Sequence, residues 1–293
     1  MSETRWTLPV GFDRRTTPAR ADLAAEHLRD RITSARYVQG RPMRIAVEVE
    51  ALRANPSSQT ALDTQALFGE DVTVYDESQG WAWVQLNTDH YVGYLPAAAL
   101  APPVEATHRV RVPRTLVYPS PDIKQPIVMA LPMRARIAVG RVTEKFVEVA
   151  GLGYIWRDHV VPLADKETDF IAVARRFLQA PYLWGGKTSD GIDCSGLVQI
   201  SLQASGLSCP RDSDMIAHDL GTPVTVQADG ADCRRGDVIC WKGHVGFVGD
   251  QGHLLHANGH HMQVIEEPLA GAIARIRASG GGEIPAVRRL KLP

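Results

Sequence analysis

Cysteine is scarce in this chain: only Cys194, Cys209, Cys233 and Cys240 among 293 residues, all in the last third. That density excludes a disulfide scaffold, and no pair has the spacing of a zinc ribbon. Net charge is nearly absent, with 32 basic against 33 acidic residues and a formal charge of -1. The usual reason to expect nucleic acid or an anionic membrane as partner is therefore missing. No run approaches the roughly 18 apolar residues that span a bilayer. Met1 to Arg20 is polar and Arg-containing, without the apolar stretch of a secretory signal, so the expectation is a cytoplasmic protein with reduced thiols.

What is present reads as an ordinary globular protein, 44% hydrophobic and 22% charged, long enough for about two domains. Pro18 to Ile32 carries a partial apolar stripe (Ala21, Leu23, Ala24, Leu28, Ile32) and predicts a helix packed on the outside of something else. From about Met43 the pattern changes to short alternating strands, which predicts small β-barrels. Leu52 to Pro96 and Leu116 to Trp156 align as two copies of one unit at an offset of about 64 residues. Leu52 lies over Leu116, Ala66-Leu67 over Ala130-Leu131, Trp83-Val84 over Val147-Glu148, and Tyr94 over Tyr154 once a hairpin is shortened. Ala101-Pro102-Pro103 reads as the stiff linker between them.

After Pro162 the pattern changes again. Thr168 to Leu178 is amphipathic with Thr168 as N-cap and Pro181 beyond its end, and a second helix is expected to start at Cys194 and close at Gly206. Strands are expected at Asp237–Cys240, Val245–Val248, His253–Ala257 and Met262–Ile265. Helices followed by a sheet give an α+β class. The expected divisions are a helical extension over 1–42, two small barrels over 43–102 and 103–163, and a chemical domain over 164–293.

Asp190-Gly191-Ile192-Asp193-Cys194-Ser195-Gly196-Leu197-Val198 is the most informative run. Asp193 can cap the helix, which leaves the Cys194 sulfur at the positive end of the helix dipole, where the thiolate is favoured. A thiolate nucleophile needs a base, and the base an orienting group. His244 and His256 stand 12 positions apart about the turn Gly249-Asp250-Gln251-Gly252. A loop centred near Asp250 would set them opposite one another on one sheet face, His244 as base and His256 as its orienter. Taken singly, a cysteine at a helix start is more often packing, and a histidine in a strand more often a satisfied structural residue. Cys209, Cys233 and Cys240 are read as small buried hydrophobes. His253, His256, His260 and His261 fit no zinc template, so no metal is expected. A capped Cys helix, a Gly-flanked His strand and a second His strand, in that order, outweigh the bland readings.

At these residues the sequence resembles the NlpC/P60 family of papain-like cysteine peptidases. The resemblance covers Thr168 to about Ile276 and rests on four runs. These are Pro181-Tyr182-Leu183-Trp184-Gly185-Gly186, Asp193-Cys194-Ser195-Gly196-Leu197-Val198, Gly243-His244-Val245-Gly246 and Leu255-His256-Ala257. It implies Cys194 as nucleophile, His244 as base, His256 as third polar member, and Tyr182 beside the Cys194 backbone N–H at the oxyanion. The two repeats resemble bacterial SH3 domains. Two of these before an NlpC/P60 domain resemble the γ-D-glutamyl-L-diamino acid endopeptidases (dipeptidyl-peptidase VI). That resemblance implies a pocket for the free amine of an N-terminal L-Ala, with Asp193 meeting the ammonium. Ser195, Ser213, Trp184 and Tyr91 of the first barrel would be further substrate contacts. The expected substrate is a murein peptide, L-Ala-γ-D-Glu-diamino acid, with no cofactor. Rival readings are an exported hydrolase of intact wall, a catalytically dead binding protein, and an amidase or acyltransferase.

Overall fold

Alternating apolar residues in Asp71–Ser78 and Trp81–Leu86 build the first antiparallel sheet of the computed structural model, which describes residues 6–284 and 286–290. The chain divides into two compact units, one running to Arg109 and including Leu116–Arg157, the other comprising Val110–Thr115 and everything from Asp158 onward. In the first unit the strand order is Val92–Pro96, Trp81–Leu86, Asp71–Ser78, Arg41–Ile45, Leu100–Ala101. Period-two alternation sends Val72, Val74, Ala82, Val84 and Leu86 inward, where Ile45, Leu52 and Leu95 complete a core. Trp83 and Val92 emerge on the opposite face and are covered by Leu23 of the N-terminal segment.

That segment corrects the helix expected over Pro18–Ile32. It holds one 3-10 turn, Glu26–Leu28, and a two-residue strand, Ala24–Ala25, parallel to Tyr37–Val38. The apolar residues are buried as their stripe suggests, but onto two surfaces. Leu23 meets Trp83, while Ala24, Ala25, Leu28 and Ile32 join Ala19 in a separate cluster. One helical face cannot serve both, because successive helical residues point about 100° apart. The tight turn is closed by Arg20 N–H donating to the Leu23 carbonyl. The Arg20 guanidinium, bonded to Asp22 and Asp76, lies 4.5 Å over the Trp83 ring.

The second repeat forms a five-stranded sheet in the order Met129–Pro132, Arg114–Tyr118, Gly153–Trp156, Phe146–Val149, Val139–Val142, its last four strands antiparallel. Strand pairing shifts the repeat alignment by one residue in two places. Trp83 pairs with Tyr94 and Glu148 with Tyr154, so Trp83 corresponds to Glu148 rather than Val147. Likewise Arg53 and Tyr118 take equivalent partners, so buried Leu52 corresponds to buried Val117, and Leu116 faces outward. A one-residue slip exchanges the faces of a strand, and the burial pattern settles which register is real.

The second unit is built around Cys194–Ala204, a helix with 10 of its 11 residues buried. It packs on a six-stranded antiparallel sheet ordered Thr222–Val224, Ala286–Arg289, Val238–Trp241, His244–Val248, His253–Asn258, Gln263–Pro268. The first helix of this unit is Phe170–Arg175, capped by Asp169 rather than Thr168. The Asp169 carboxylate accepts from the N–H groups of Ile171 and Ala172. Helices Ser213–Asp219 and Leu269–Ala278 complete the unit. Among the described residues no helix is long and apolar enough to cross a membrane.

Phe170 packs on Phe247 at 5.2 Å between ring centroids, tying the first helix to the His244 strand. Truncation by Phe247→Ala is expected to cost about 3–5 kcal/mol, as buried aromatic-to-alanine changes do. Urea unfolding followed by intrinsic fluorescence measures it, and a loss under about 1 kcal/mol contradicts the packing described.

Candidate active site

The second helix starts where it does because Asp193 gathers the surrounding backbone. Its carboxylate accepts from Gly196 N–H at 2.6 Å and Gly185 N–H at 2.8 Å. It also accepts from both terminal nitrogens of Arg211, at 3.0 and 2.8 Å, and from the Ser195 hydroxyl at 3.2 Å. Arg211 is 1% exposed and donates at 2.7 Å to Ser195 as well. The expected cap is therefore present. The same carboxylate thus holds a buried guanidinium and three further donors. Ser195 lies on the same network, donating to Asp193 and accepting from Arg211. Glycine is required at Gly196 and Gly186, where a β-carbon would stand 2.3 Å from the carbonyl oxygens of Gly186 and Gly191 respectively.

Cys194 is 5% exposed at the first turn of this helix. Burial, and next the Asp193 carboxylate, push its thiol up to about 12, against the pull of the Val245 and Ser195 backbone N–H groups and Arg211. The lowered pKa expected from the helix dipole is overturned here. Desolvating an anion beside another anion outweighs the dipole at one helix end. The Val245 contact places the sulfur against the strand that begins at His244.

His244 and His256 lie on one face of the sheet but are not cross-strand partners. Phe247 pairs with Leu255 and Val248 with Leu254, so the hairpin is centred at position 251 and His244 sits two residues off register from His256. The diagonal suffices: His244 Nε2 and His256 Nδ1 are 2.8 Å apart. Burial, then His256 and Arg275, hold His244 down to about 3, with Glu267 opposing. Burial also lowers His256, against its bond to Glu267. The resting site thus holds a thiol and two neutral imidazoles. His256 Nε2 lies 2.9 Å from a Glu267 oxygen and 3.0 Å from the Asn258 amide nitrogen, and Arg275 donates to the same Glu267 oxygen.

Tyr182 is anchored by its N–H to the Met262 carbonyl at 2.9 Å. Burial, then the neighbouring Cys194 and Asp193, raise its phenol, so the hydroxyl stays protonated and available as a donor. Trp184 is 65% exposed on the adjacent turn. Ser213 opens the helix Ser213–Asp219. Tyr91 belongs to the other unit, where it is 5% exposed within the core of the first sheet and lines a cavity of about 280 Å³ with Trp83 and Tyr94. No group of three or more His, Cys, Asp or Glu side chains among the described residues is placed to hold a metal. Arg211, Asn258 and Glu267 were not singled out from sequence for roles here. Arg211 directly precedes Asp212-Ser213, and Glu267 lies on the strand that pairs with the His256 strand.

Residues 179–278 match the NlpC/P60 family, and residues 52–100 match the bacterial dipeptidyl-peptidase SH3 domain. The chain is 29% identical over 219 residues to the γ-D-glutamyl-L-lysine dipeptidyl-peptidase of Bacillus subtilis, covering 67% of this chain and 72% of that protein. It is 29% identical over 244 residues to the Bacillus cereus protein of the same name, covering 71% of each. A crystal structure of an NlpC/P60 family protein from Bacillus cereus superposes with a TM-score of 0.72 at 21% identity, over 86% of this chain and 100% of that one, and so shares its fold.

Two outcomes follow from the burial of these charges. Asp193→Ala leaves the Arg211 guanidinium buried without its carboxylate and is expected to cost about 3–5 kcal/mol. Urea denaturation measures this, and a change under about 1 kcal/mol contradicts the network. Acid should also weaken the fold through His244. In the unfolded chain the ring takes a proton near pH 6.5, whereas in the folded chain it does so only near 3. Stability is therefore whole above about pH 6.5 and falls as pH drops from there toward 3. His244→Gln should flatten that slope in thermal melts taken across the window, and an unchanged slope contradicts a buried neutral His244.

Proposed function

We propose that this chain, whose residues 179–278 match the NlpC/P60 family and residues 52–100 the bacterial dipeptidyl-peptidase SH3 domain, is a cysteine peptidase that hydrolyses the bond between γ-linked D-Glu and the next diamino acid in murein peptides with a free N-terminal L-Ala. The observation that carries the chemistry is the Cys194 sulfur at the helix start meeting the backbone N–H of Val245, the residue after His244, whose ring lies 2.8 Å from His256. The names of two relatives support the bond and the polarity. A dipeptidyl-peptidase counts two residues from a free end, and both are named for a γ-D-glutamyl-L-lysine junction.

In this reading the Cys194 sulfur attacks the γ-carbonyl carbon of D-Glu while its proton passes to His244 Nδ1, the ring nitrogen not turned to His256. With the thiol at about 12 and the imidazole at about 3 in the empty site, proton transfer accompanies attack instead of preceding it. The carbonyl oxygen becomes an oxyanion held by the Cys194 backbone N–H and the Tyr182 hydroxyl. The C–N bond then breaks, the leaving amine takes the proton from His244, and water cleaves the thioester by the reverse route. Ser213 and Trp184, whose side chains are not spent inside the domain, are proposed to line the peptide. Specificity for a free amine is proposed from the relatives' names, which specify a dipeptidyl-peptidase.

The domain divisions proposed are 1–42, a second SH3-like domain over 103–163 after the first over 43–102, and the peptidase over 164–293. We place the activity in the cytoplasm, on peptides released during wall turnover, because intact wall carries its L-Ala amide-linked and offers no free amine. The second reading, an exported hydrolase guided to the wall by its SH3 domain, uses the same chemistry.

Purified protein should release L-Ala-D-Glu from L-Ala-γ-D-Glu-diaminopimelate, and Cys194→Ala should lower kcat by at least about 10³-fold. Turnover retained in that variant removes the nucleophile assignment. Acetylating the substrate amine should abolish cleavage, and an unchanged kcat/KM removes the specificity while leaving the peptidase. Clearing of purified sacculi favours the exported reading.

A further inference from the structure

We propose that Glu267, held by Arg275, is a positioning residue of the peptidase that sets which nitrogen of His244 takes the thiol proton. The inference rests on Cys194 as nucleophile and His244 as base, and is independent of which peptide is cleaved. Each neutral imidazole carries one N–H and one lone pair, so a line of two rings has two settings. Which one is occupied depends on the group that meets the outer nitrogen, His256 Nε2.

Two groups compete there. The Glu267 carboxylate, 2.9 Å away, only accepts, while the Asn258 amide nitrogen, 3.0 Å away, only donates. Asn258 is held in that orientation because its oxygen accepts from His261 N–H at 2.8 Å. If Glu267 prevails, His256 carries its proton on Nε2 and its Nδ1 is a lone pair. The 2.8 Å contact then requires His244 Nε2–H to donate, which leaves His244 Nδ1 as a lone pair able to take the thiol proton. If Asn258 prevails, every proton along the line moves over by one nitrogen. His256 Nδ1–H donates to His244 Nε2, the His244 proton sits on Nδ1, and the ring has no base to offer Cys194.

Arg275 decides the competition. It reaches from the Leu269–Ala278 helix to donate to the same Glu267 oxygen that meets His256. Burial works to raise the Glu267 carboxyl, but the His256 bond and the charges of His256, Arg275 and His261 bring it below its ordinary value. An ionised Glu267 accepts the Nε2 proton. The same carboxylate also supports the imidazolium that forms on His244 during attack, without itself taking the proton. The charged and titratable groups acting on the two rings are Glu267, Arg275 and His261. Of these, Glu267 favours the imidazolium and Arg275 and His261 oppose it.

This gives the two ends of one ion pair opposite effects, which a merely structural bridge would not show. The experiment is a pH titration of the full-length protein labelled with ¹⁵N-histidine, reading the ring nitrogens of His244 and His256 in wild type, Glu267→Gln, Glu267→Asp and Arg275→Gln. In wild type both rings should carry their neutral-state proton on Nε2. The ring midpoints should move to lower pH in E267Q and to higher pH in R275Q, with E267D close to wild type. In tripeptide turnover E267Q should lose about tenfold in kcat, the equivalent of about one pK unit of imidazolium support, with KM within about twofold. Protons on Nδ1 in wild type, or midpoints that shift the same way in E267Q and R275Q, overturn the proposal. If wild type fails to cleave the tripeptide, the proposed substrate falls, and the ring-nitrogen titration still decides the role of Glu267.

Discussion

Everything about the site depends on one buried carboxylate. Asp193 binds the Gly185 and Gly196 backbone, the Ser195 hydroxyl and both terminal nitrogens of Arg211. It fixes in one stroke the turn after Trp184, the first turn of the central helix, and the segment that leads into Ser213. A charge with so many donors tolerates burial because each lone pair is met. The cost appears one residue away, where the same carboxylate helps make the Cys194 thiolate unfavourable. In the proposed mechanism the nucleophile is thus placed by a group that also opposes its ionisation, and the histidine line receives its proton at the moment of attack.

That requirement explains why the second half of the domain is built from paired strands. A base with its pKa held near 3 by burial is poor in isolation. In the proposed mechanism its imidazolium gains support from the groups behind it, His256 and then Glu267, which Arg275 holds. A sheet supplies such an array with little conformational freedom left to lose, since side chains on one face stand within reach both directly and diagonally. The His244 strand packs on the Cys194–Ala204 helix, the His256 strand lies beside it, and the Glu267 strand beside that one.

Much of this was legible in the sequence because it depends on local chemistry. The cap at Asp193, the helix from Cys194 and the order of the two His strands follow from residues adjacent in the chain. The failures share one cause, which is that long-range burial overrode a local signal. The stripe in Pro18–Ile32 was apolar for two surfaces instead of one, so no helix formed there. The dipole at Cys194 was real but weaker than desolvation. Asp193 read as a helix cap and amine anchor without Arg211, because nothing local announces that this residue, 18 positions on, closes over it. The His pair was found, but its register was displaced by two positions, since a loop length fixes a hairpin only to within its turn type. Glu267 lies 11 residues beyond His256 and meets it only through strand pairing, which the chain's own periodicity does not encode.

The central claim, that the Cys194 sulfur becomes acylated by the γ-glutamyl carbonyl of a murein peptide, is tested most directly by trapping the intermediate. The protein is mixed with L-Ala-γ-D-Glu-diaminopimelate, quenched in acid within the first turnover, digested, and examined by mass spectrometry. The account predicts a thioester of L-Ala-D-Glu on the peptide containing Cys194, and on none of those containing Cys209, Cys233 or Cys240. Substrate turnover with no adduct on Cys194, or with the adduct on another cysteine, would contradict it.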